Sequence, residues 1–174
     1  MEGNVEVLIS REKVEARISE LAREIEKDYA NKDLICVGLL KGSVMFMSDL
    51  IKEISMDLRI DFMKVSSYGG GTNSTGVVKI LKDVDLDLTG KDVLIVEDII
   101  DTGLTIVNVK DFLKQKNPNS IKVCTLLDKP SRRLVEVEGE YVGFEIPDEF
   151  VVGYGLDLDE KYRNIPFVGK FVKK

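Results

Sequence analysis

The stretch VLIVEDIIDTGLT, residues 93–105, combines a buried-strand pattern with three acidic positions and a turn rich in small residues. Its first four residues are apolar, as in a central strand, and the acidic Glu97, Asp98 and Asp101 follow within the next five. The final DTGLT is typical of a turn that opens a helix. A strand that leads through acidic residues into a helix indicates an α/β fold with a ligand site at the end of the strand.

The rest of the chain repeats this alternation of strand and helix patterns. We predict a helix that Ser10 caps and that ends by Asn31, with one apolar face, followed by six further segments before the tail. These are strands over residues 33–40, 58–65, 77–81 and 121–127, and helices over residues 43–54 and 102–116. Within the opening stretch, residues 93–96 are predicted as a further strand. Such an order predicts a parallel twisted sheet flanked by helices.

Composition and charge limit the classes of function. The chain has 174 residues, 44% hydrophobic and 32% charged, which is typical of one globular domain. It has neither an apolar run of 18 residues nor a signal-peptide pattern, so we expect a cytoplasmic protein without membrane contact. The net charge of −6 argues against a nucleic-acid-binding surface.

The chain contains no histidine, and its two cysteines lie in apolar runs. The absence of histidine excludes Ser-His-Asp and Cys-His nucleophilic systems and histidine-ligated zinc. Any proton transfer must therefore use Asp, Glu, Lys or Tyr. Cys36 and Cys124 are interpreted as buried core thiols, because two distant cysteines indicate neither a zinc site nor a disulfide framework.

The DTGLT turn has the features of a phosphate-binding site. Thr102 and Thr105 offer hydroxyl groups, Gly103 allows close approach of the backbone, and the helix that begins here directs free amides and its positive dipole end at a ligand. The other interpretation of these five residues is an ordinary strand-to-helix turn with a threonine cap.

Glu97 and Asp98 narrow the choice of ligand. Carboxylates repel phosphate, so a pair beside a phosphate site is useful only if the ligand also offers hydroxyl donors or brings a divalent cation. Ribose 5-phosphate meets both conditions. A solvated acidic strand end is the alternative, and the apolar Ile99 and Ile100 argue against it. No G-x-x-x-x-G-K-[ST] loop is present, and the motif lies too late in the chain for a response-regulator receiver.

Five motifs in sequence order carry a resemblance to a known family. VLIVEDIIDTGLT is similar to the phosphoribosyl-pyrophosphate motif of type I phosphoribosyltransferases. The segments LLKGS (39–43), SSYGGGTNSTG (66–76), LLDKPSRR (126–133) and FVVGYGLDLDEKYRNIPFVG (150–169) resemble the other signatures of the hypoxanthine-guanine phosphoribosyltransferases. The resemblance spans nearly the whole chain. It implies one domain over residues 1–174, with a core over about 33–140 and a small hood from residues 1–9 and 141–174.

The resemblance assigns residues to the phosphoribosyl donor. Lys41 and Gly42, after a cis peptide that is common in this family, and Arg163 would bind pyrophosphate. Glu97 and Asp98 would meet the ribose hydroxyls or the water shell of Mg²⁺. Without the resemblance, Lys41 is interpreted as a surface charge and the segment around Arg163 as a charged surface turn.

The purine side is also assigned by resemblance. Asp101 would be the proton acceptor or hydrogen-bond partner of the base, in agreement with the lack of histidine, although it also suits a helix cap. Lys129 would donate to the oxygen at purine position 6, Phe150 would stack on the ring, and the Val151 backbone would contact the base edge. Asp157 would lie beside the purine and hold a second Mg²⁺. From pattern alone, Phe150 is a core residue.

Ser67 and Tyr68 match a serine-tyrosine pair in the family's lid loop, which would exclude water from the reacting sugar; from the sequence alone this stretch is a mobile surface loop. Leu104 stands at a phosphate-site position where some relatives have lysine, which removes a charge but keeps the amide.

The implied function is Mg²⁺-dependent transfer of the phosphoribosyl group to hypoxanthine, and to guanine, by a homodimer or homotetramer. The alternative is a regulator that keeps this fold and binds nucleotide without turnover. The region around Lys129 and Phe150 disfavours an orotate or adenine transferase.

Overall fold

The computed structural model describes residues 3–67 and 78–173, and strands and helices alternate along them. Three α-helices occur in these ranges: α1 Arg11–Tyr29, α2 Val44–Glu53 and α3 Leu104–Lys114. Nine strands occur there: β1 Gly3–Ile9, β2 Leu34–Leu40, β3 Arg59–Ser67, β4 Val78–Lys82, β5 Asp92–Ile100, β6 Ser120–Asp128, β7 Tyr141–Glu145, β8 Val151–Val152 and β9 Val168–Lys173. The predicted helices and strands are present, with differences at their ends.

Six strands form the main sheet in the order β4-β3-β2-β5-β6-β7. Every neighbouring pair is parallel except β3 and β4, which pair as antiparallel strands. The predicted α/β fold is confirmed. The one difference from a fully parallel sheet is the edge strand β4, which is antiparallel to β3. Antiparallel neighbours can follow each other without a crossover helix, and the chain has no helix between β3 and β4 in its described residues. The β2-β5-β6 order places the carboxyl ends of three central strands side by side.

Helices cover both faces of this sheet because the central strands are apolar on both faces. In β2, Leu34 and Cys36 pack in the cluster with α1 and α2, while Ile35 and Val37 pack in the cluster with α3. Helix α1 begins after Ser10, whose hydroxyl accepts the Lys13 amide at 3.4 Å. The apolar face predicted for this helix is buried and includes Val14, Ile18, Leu21, Ile25 and Tyr29. Both cysteines are buried free thiols, as predicted.

A separate antiparallel sheet joins the two ends of the chain in the order β1-β9-β8. Its three strands all lie within the residues that we predicted as a hood, 1–9 and 141–174. The predicted start of the C-terminal part, about Tyr141, differs from the structure, because β7 pairs with β6 in the main sheet. The mostly apolar sequence YVGFE does not distinguish the two sheets. In the described part of the chain, no helix combines the length and the apolar character that a membrane crossing needs.

Candidate active site

The acidic pair of the opening motif lies inside strand β5. We predicted that the strand would end at Val96, but it continues to Ile100, because β6 pairs with it as far as the Ile100–Asp128 register. Glu97 is buried with 7% exposure, so a solvated acidic strand end does not describe it. Its Oε1 accepts the Asp98 amide at 3.0 Å, and Asp98 Oδ1 accepts the Ile99 amide at 2.7 Å.

Burial dominates the electrostatics of this pair. Loss of solvation raises the pKa of Glu97 well above its usual range, and the neighbouring Asp98 charge raises it further. Burial also raises the pKa of Asp98, although hydrogen bonds and the charge of Arg163 oppose that rise. Ionising both carboxyls is costly unless a cation or several hydrogen-bond donors are placed against them. The pair therefore suits a ligand that brings such groups.

The loop after β2 lies directly on Asp98. The Leu40–Lys41 peptide is cis, as the resemblance implies. A Cβ atom at Gly42 would overlap Asp98 Oδ2, and a Cβ atom at Gly155 would overlap the Gly42 carbonyl oxygen. Gly155 also has a φ of +99°, which side chains rarely adopt. Two glycines thus allow the β2 loop, the end of β5 and the C-terminal segment to meet.

The turn between β5 and α3 presents a helix N-terminus without a side-chain cap. Gly103 is the N-cap residue with a φ of +86°, and α3 begins at Leu104, two residues later than we predicted. Asp101 is therefore not the cap. Thr102 Oγ1 accepts the Leu104 amide at 3.4 Å, a long contact. Amides of the first turn, including that of Thr105, remain available to an anion at this helix end.

Asp101 is held by two arginines that the sequence reasoning did not single out. Arg132 Nε donates to Asp101 Oδ1 at 3.1 Å. Arg133 donates to the carbonyl oxygens of Ile100 at 3.2 Å and of Asp101 at 2.7 Å, and it pairs with Asp128. Arg133 therefore fixes the backbone that carries Asp101. The arginines of LLDKPSRR, which follow the end of β6, were the available signal.

The residues predicted to contact a purine divide between buried and exposed positions. Lys129 is buried with 7% exposure, and its Nζ donates to the Glu149 carbonyl oxygen at 2.6 Å. Phe150 is 53% exposed, so its interpretation as a core residue is wrong. Its ring meets the edge of Phe171 with centroids 6.3 Å apart. Val151 is buried and pairs with β9 in the small sheet.

Lys41, Arg163 and Asp157 form an ion-pair network with Glu160. Lys41 Nζ donates to Glu160 Oε2 at 2.8 Å. Arg163 donates to the Gly155 carbonyl oxygen at 2.7 Å and lies 2.9 Å from Asp157 Oδ1. Sequence reasoning missed Glu160, because DLDEKYR carries no pattern beyond its charges.

Comparison with known proteins shows which family the chain belongs to. A sequence profile of the phosphoribosyl transferase domain matches residues 6–159. A hypoxanthine phosphoribosyltransferase of Escherichia coli is 53% identical over 174 residues, which cover 99% of this chain and 98% of that protein. The chain belongs to the hypoxanthine phosphoribosyltransferase family. The resemblance seen in the sequence is thereby confirmed.

Other members of the family support the same assignment. A hypoxanthine-guanine phosphoribosyltransferase of Staphylococcus aureus is 55% identical over 164 residues, 94% of this chain and 92% of that protein. The crystal structure of a hypoxanthine phosphoribosyltransferase from Staphylococcus aureus superposes with a TM-score of 0.93 at 54% identity, covering 97% of this chain and 91% of that chain. A hypoxanthine-guanine phosphoribosyltransferase structure from Bacillus anthracis gives 0.92 at 51% identity, with 97% and 99% covered.

Two features within this family fold lie away from the central strand ends. The backbone of Ser67 ends β3 opposite Val78, whereas Tyr68 and the rest of the predicted lid loop lie outside the described residues. A cavity of 770 Å³ opens between α1, α2 and the segment after Arg163. Of the predicted site residues, Arg163 alone lines it, so this cavity does not coincide with the site that the sequence predicts.

Proposed function

We propose that the chain transfers the 5-phosphoribosyl group of phosphoribosyl pyrophosphate to hypoxanthine and guanine, forming IMP and GMP and releasing pyrophosphate. The observation that carries the proposal is the Glu97–Asp98 pair, in which Glu97 is buried. This pair lies one turn before an uncapped helix N-terminus at the carboxyl edge of the sheet. A ligand that fills both places must offer hydroxyl groups or a bound cation to the carboxyls and a phosphate group to the helix N-terminus. A ribose phosphate meets this need.

The 5-phosphate is assigned to the turn that opens α3. Asp101, Thr102, Gly103, Leu104 and Thr105 surround the helix N-terminus, whose dipole and free amides favour a phosphate group. The positive φ of Gly103 turns the backbone into this position. Leu104 contributes only its amide.

The ribose hydroxyls and Mg²⁺ are assigned to Glu97 and Asp98. The donor set is suitable, because Mg²⁺ prefers oxygen ligands and usually takes one or two carboxylates together with substrate phosphates and water. In the described residues, no three acidic or cysteine side chains form a complete cation site, so donor oxygens and water must supply the remaining ligands. When bound, Mg²⁺ would neutralise the charge that develops on the leaving pyrophosphate. Asp157, paired with Arg163, is proposed to hold a second ion.

The pyrophosphate is assigned to Lys41, Gly42 and Arg163. Gly42 lies against Asp98, so the loop that carries Lys41 adjoins the ribose site. Arg163 reaches the same place, because it donates to the Gly155 carbonyl beside Gly42. Arg163 Nε is buried without a hydrogen-bond partner among the described residues, and Arg163 Nη2 pairs with Asp157 and Glu160. Lys41 and Arg163 thus place positive charge beside the proposed position of the leaving pyrophosphate.

The purine is assigned to Lys129, Phe150, Val151 and Asp157. Lys129 is buried, and its ammonium group can exchange the Glu149 carbonyl for a purine oxygen at position 6. A buried donor of this kind rejects a base that offers an amino group instead. The exposed ring face of Phe150 is available for stacking, and Val151 presents backbone groups in the small sheet.

The proposed chemistry forms one bond and breaks another at the anomeric carbon. The bond to the pyrophosphate oxygen breaks as a purine ring nitrogen bonds to that carbon. Asp101 accepts the proton of that ring nitrogen or holds it in a hydrogen bond. Ser67 and Tyr68 are proposed to belong to a lid that excludes water from the cationic sugar.

The decisive experiment is an assay of purified protein with phosphoribosyl pyrophosphate and Mg²⁺. Hypoxanthine and guanine should give nucleotide and pyrophosphate, adenine should not, and a chelator should stop the reaction. Asp101→Asn should lower kcat by roughly 10²–10⁴-fold if the carboxylate acts as a base. Absence of pyrophosphate release with every 6-oxopurine would falsify the proposed reaction.

The names of the relatives favour a catalyst over a non-catalytic regulator. The homodimer or homotetramer stays a prediction, which light scattering of the purified protein tests.

A further inference from the structure

One carboxylate, Glu160, lies between the two cations that we assign to pyrophosphate. Lys41 Nζ donates to Glu160 Oε2 at 2.8 Å, and Arg163 Nη2 lies 3.5 Å from the same oxygen. A pyrophosphate bound by Lys41 and Arg163 would present its own oxygens to these nitrogens. Glu160 therefore makes contacts that the ligand needs.

The backbone holds Glu160 in this position. Its amide donates to Asp157 Oδ2 at 2.9 Å, and the turn is closed by reciprocal hydrogen bonds of 3.2 and 3.1 Å between Leu158 and Lys161. The turn gives Glu160 a φ of 62°. The side chain extends from a built turn toward the two cations.

We propose that Glu160 is an internal competitor for the pyrophosphate site, which pyrophosphate must displace from Lys41 and Arg163. The inference rests on the proposed function, since that function assigns the two cations to pyrophosphate. Glu160 acts through them, so it is a positioning residue rather than a catalytic one. Its effect is to weaken the binding of pyrophosphate and so to favour its release as a product.

The exposure of the pair sets the size of the effect. The side chains of Lys41 and Glu160 are 52% and 64% exposed, and water and salt screen such a pair. Exposed ion pairs of this kind change equilibria by roughly two- to fivefold. Removing the Glu160 charge should therefore tighten pyrophosphate binding by roughly that factor.

Asp159 provides a matched control for charge alone. It is the preceding residue in the same turn, has a similar φ of 53° and carries the same charge. In residues 3–67 and 78–173 it makes an ion pair with neither Lys41 nor Arg163. A general effect of negative charge near the site would appear in both positions, whereas competition for the two cations would appear only at Glu160.

The test is calorimetric titration of the full chain with magnesium pyrophosphate, for the wild type, Glu160→Gln, Glu160→Ala and Asp159→Asn. Both Glu160 variants should bind roughly two- to fivefold more tightly and show stronger product inhibition by pyrophosphate, with an unchanged KM for hypoxanthine. Asp159→Asn should stay within about 1.5-fold of the wild type. The alanine variant matters because glutamine can still accept a hydrogen bond from Lys41.

Three results overturn the proposal: Glu160 variants that bind pyrophosphate no more tightly, an Asp159→Asn effect as large as theirs, or a parallel change in the KM for hypoxanthine. If the wild type neither forms nucleotide nor binds pyrophosphate, the proposed function fails as well. If the wild type turns over hypoxanthine but the Glu160 variants bind pyrophosphate no more tightly, only the role of Glu160 is refuted and the proposed function stands.

Discussion

The end of strand β5 and the turn at residues 157–163 hold their charges in opposite ways. At the end of β5, Glu97 is buried, and Arg133 and Asp128 form an ion pair whose side chains are 14% and 12% exposed. In the turn, Glu160 pairs with Lys41 largely in solvent. Both regions belong to the proposed site, so the site joins one half fixed by packing to another half fixed by exposed ion pairs.

This difference separates two tasks of the proposed reaction. The sugar and its 5-phosphate stay on the enzyme through the transfer, and buried groups can hold them in a fixed geometry without reorganisation. Pyrophosphate must leave, and exposed side chains that pair with one another can take its place. The comparison predicts that substitutions at the buried half alter stability, while those at the exposed half alter ligand binding.

The largest expected effect follows from loss of Arg133. Arg133→Leu leaves Asp128 without its partner and removes donors from three carbonyl oxygens, those of Ile100, Asp101 and Val137. Breaking a buried pair of this kind costs roughly 3 kcal/mol or more. Urea unfolding should show this loss, together with an increased Kd for phosphoribosyl pyrophosphate because the Asp101 backbone is released.

Arg132→Leu is the matched control, since Arg132 is adjacent and half exposed in its pair with Asp101. Its loss should cost less than about 1 kcal/mol. Equal losses of stability in the two variants would contradict the division into a buried and an exposed half.

Sequence patterns were sufficient for the order of the central strands but not for the hydrogen-bond network at their ends. Apolar runs and turn residues identify β2, β5 and β6, and parallel strands bring their carboxyl ends to one edge. The bonds of Arg133 to Ile100 and Asp101 join residues more than 30 positions apart, and no local pattern records such pairing. The length of β5 was missed for the same reason, because its partner β6 sets it.

The next effect concerns the contact between the two halves at Gly155. Gly155→Ala would place a methyl group against the Gly42 carbonyl at a positive φ, which costs about 2–3 kcal/mol. Displacement of Gly42 would also disturb Asp98, so kcat/KM should fall by roughly 10²-fold. Thermal unfolding and steady-state kinetics measure both.

Gly90→Ala is the control that separates the cost of a positive φ from the cost of a steric overlap. Gly90 also has a positive φ, +69°, but nothing lies within 4 Å of the added methyl group. Its stability cost should be about 1 kcal/mol, and its activity should be unchanged. A loss of activity at Gly90 would show that the Gly155 effect is not local.

A smaller effect tests the burial of Glu97 through pH. Because its folded pKa is raised, the folded state binds more protons than the unfolded state above about pH 4.5, the ordinary pKa of a glutamic acid. Stability of the ligand-free protein should therefore fall as the pH rises from about 4.5 through that folded pKa. Glu97→Gln should weaken this dependence and raise stability at neutral pH, while lowering activity.

Urea unfolding at several pH values between 5 and 8 gives the comparison. Glu20→Gln, at a side chain 57% exposed on α1, is the control for loss of a carboxyl outside the site. A Glu97→Gln curve parallel to that of the wild type would mean that the burial of this carboxyl does not contribute to stability.

The smallest effect on stability is expected at Phe150. The sequence alone could not place this residue, because an aromatic side chain before a strand is usually core, and only the small sheet leaves its ring 53% exposed. Phe150→Ala should cost less than about 1 kcal/mol in stability. If the ring stacks on the purine, the KM for hypoxanthine should rise roughly two- to tenfold while the KM for phosphoribosyl pyrophosphate stays constant.

Leu134→Ala is the control for Phe150, since Leu134 is a large apolar residue with 68% exposure that has no assigned contact with the purine. It should change neither constant. A rise in the KM for hypoxanthine without loss of stability would place Phe150 in the exposed half of the site. A large loss of stability with an unchanged KM would instead make the ring a structural member of the small sheet, through its contact with Phe171, and would remove it from the proposed purine site.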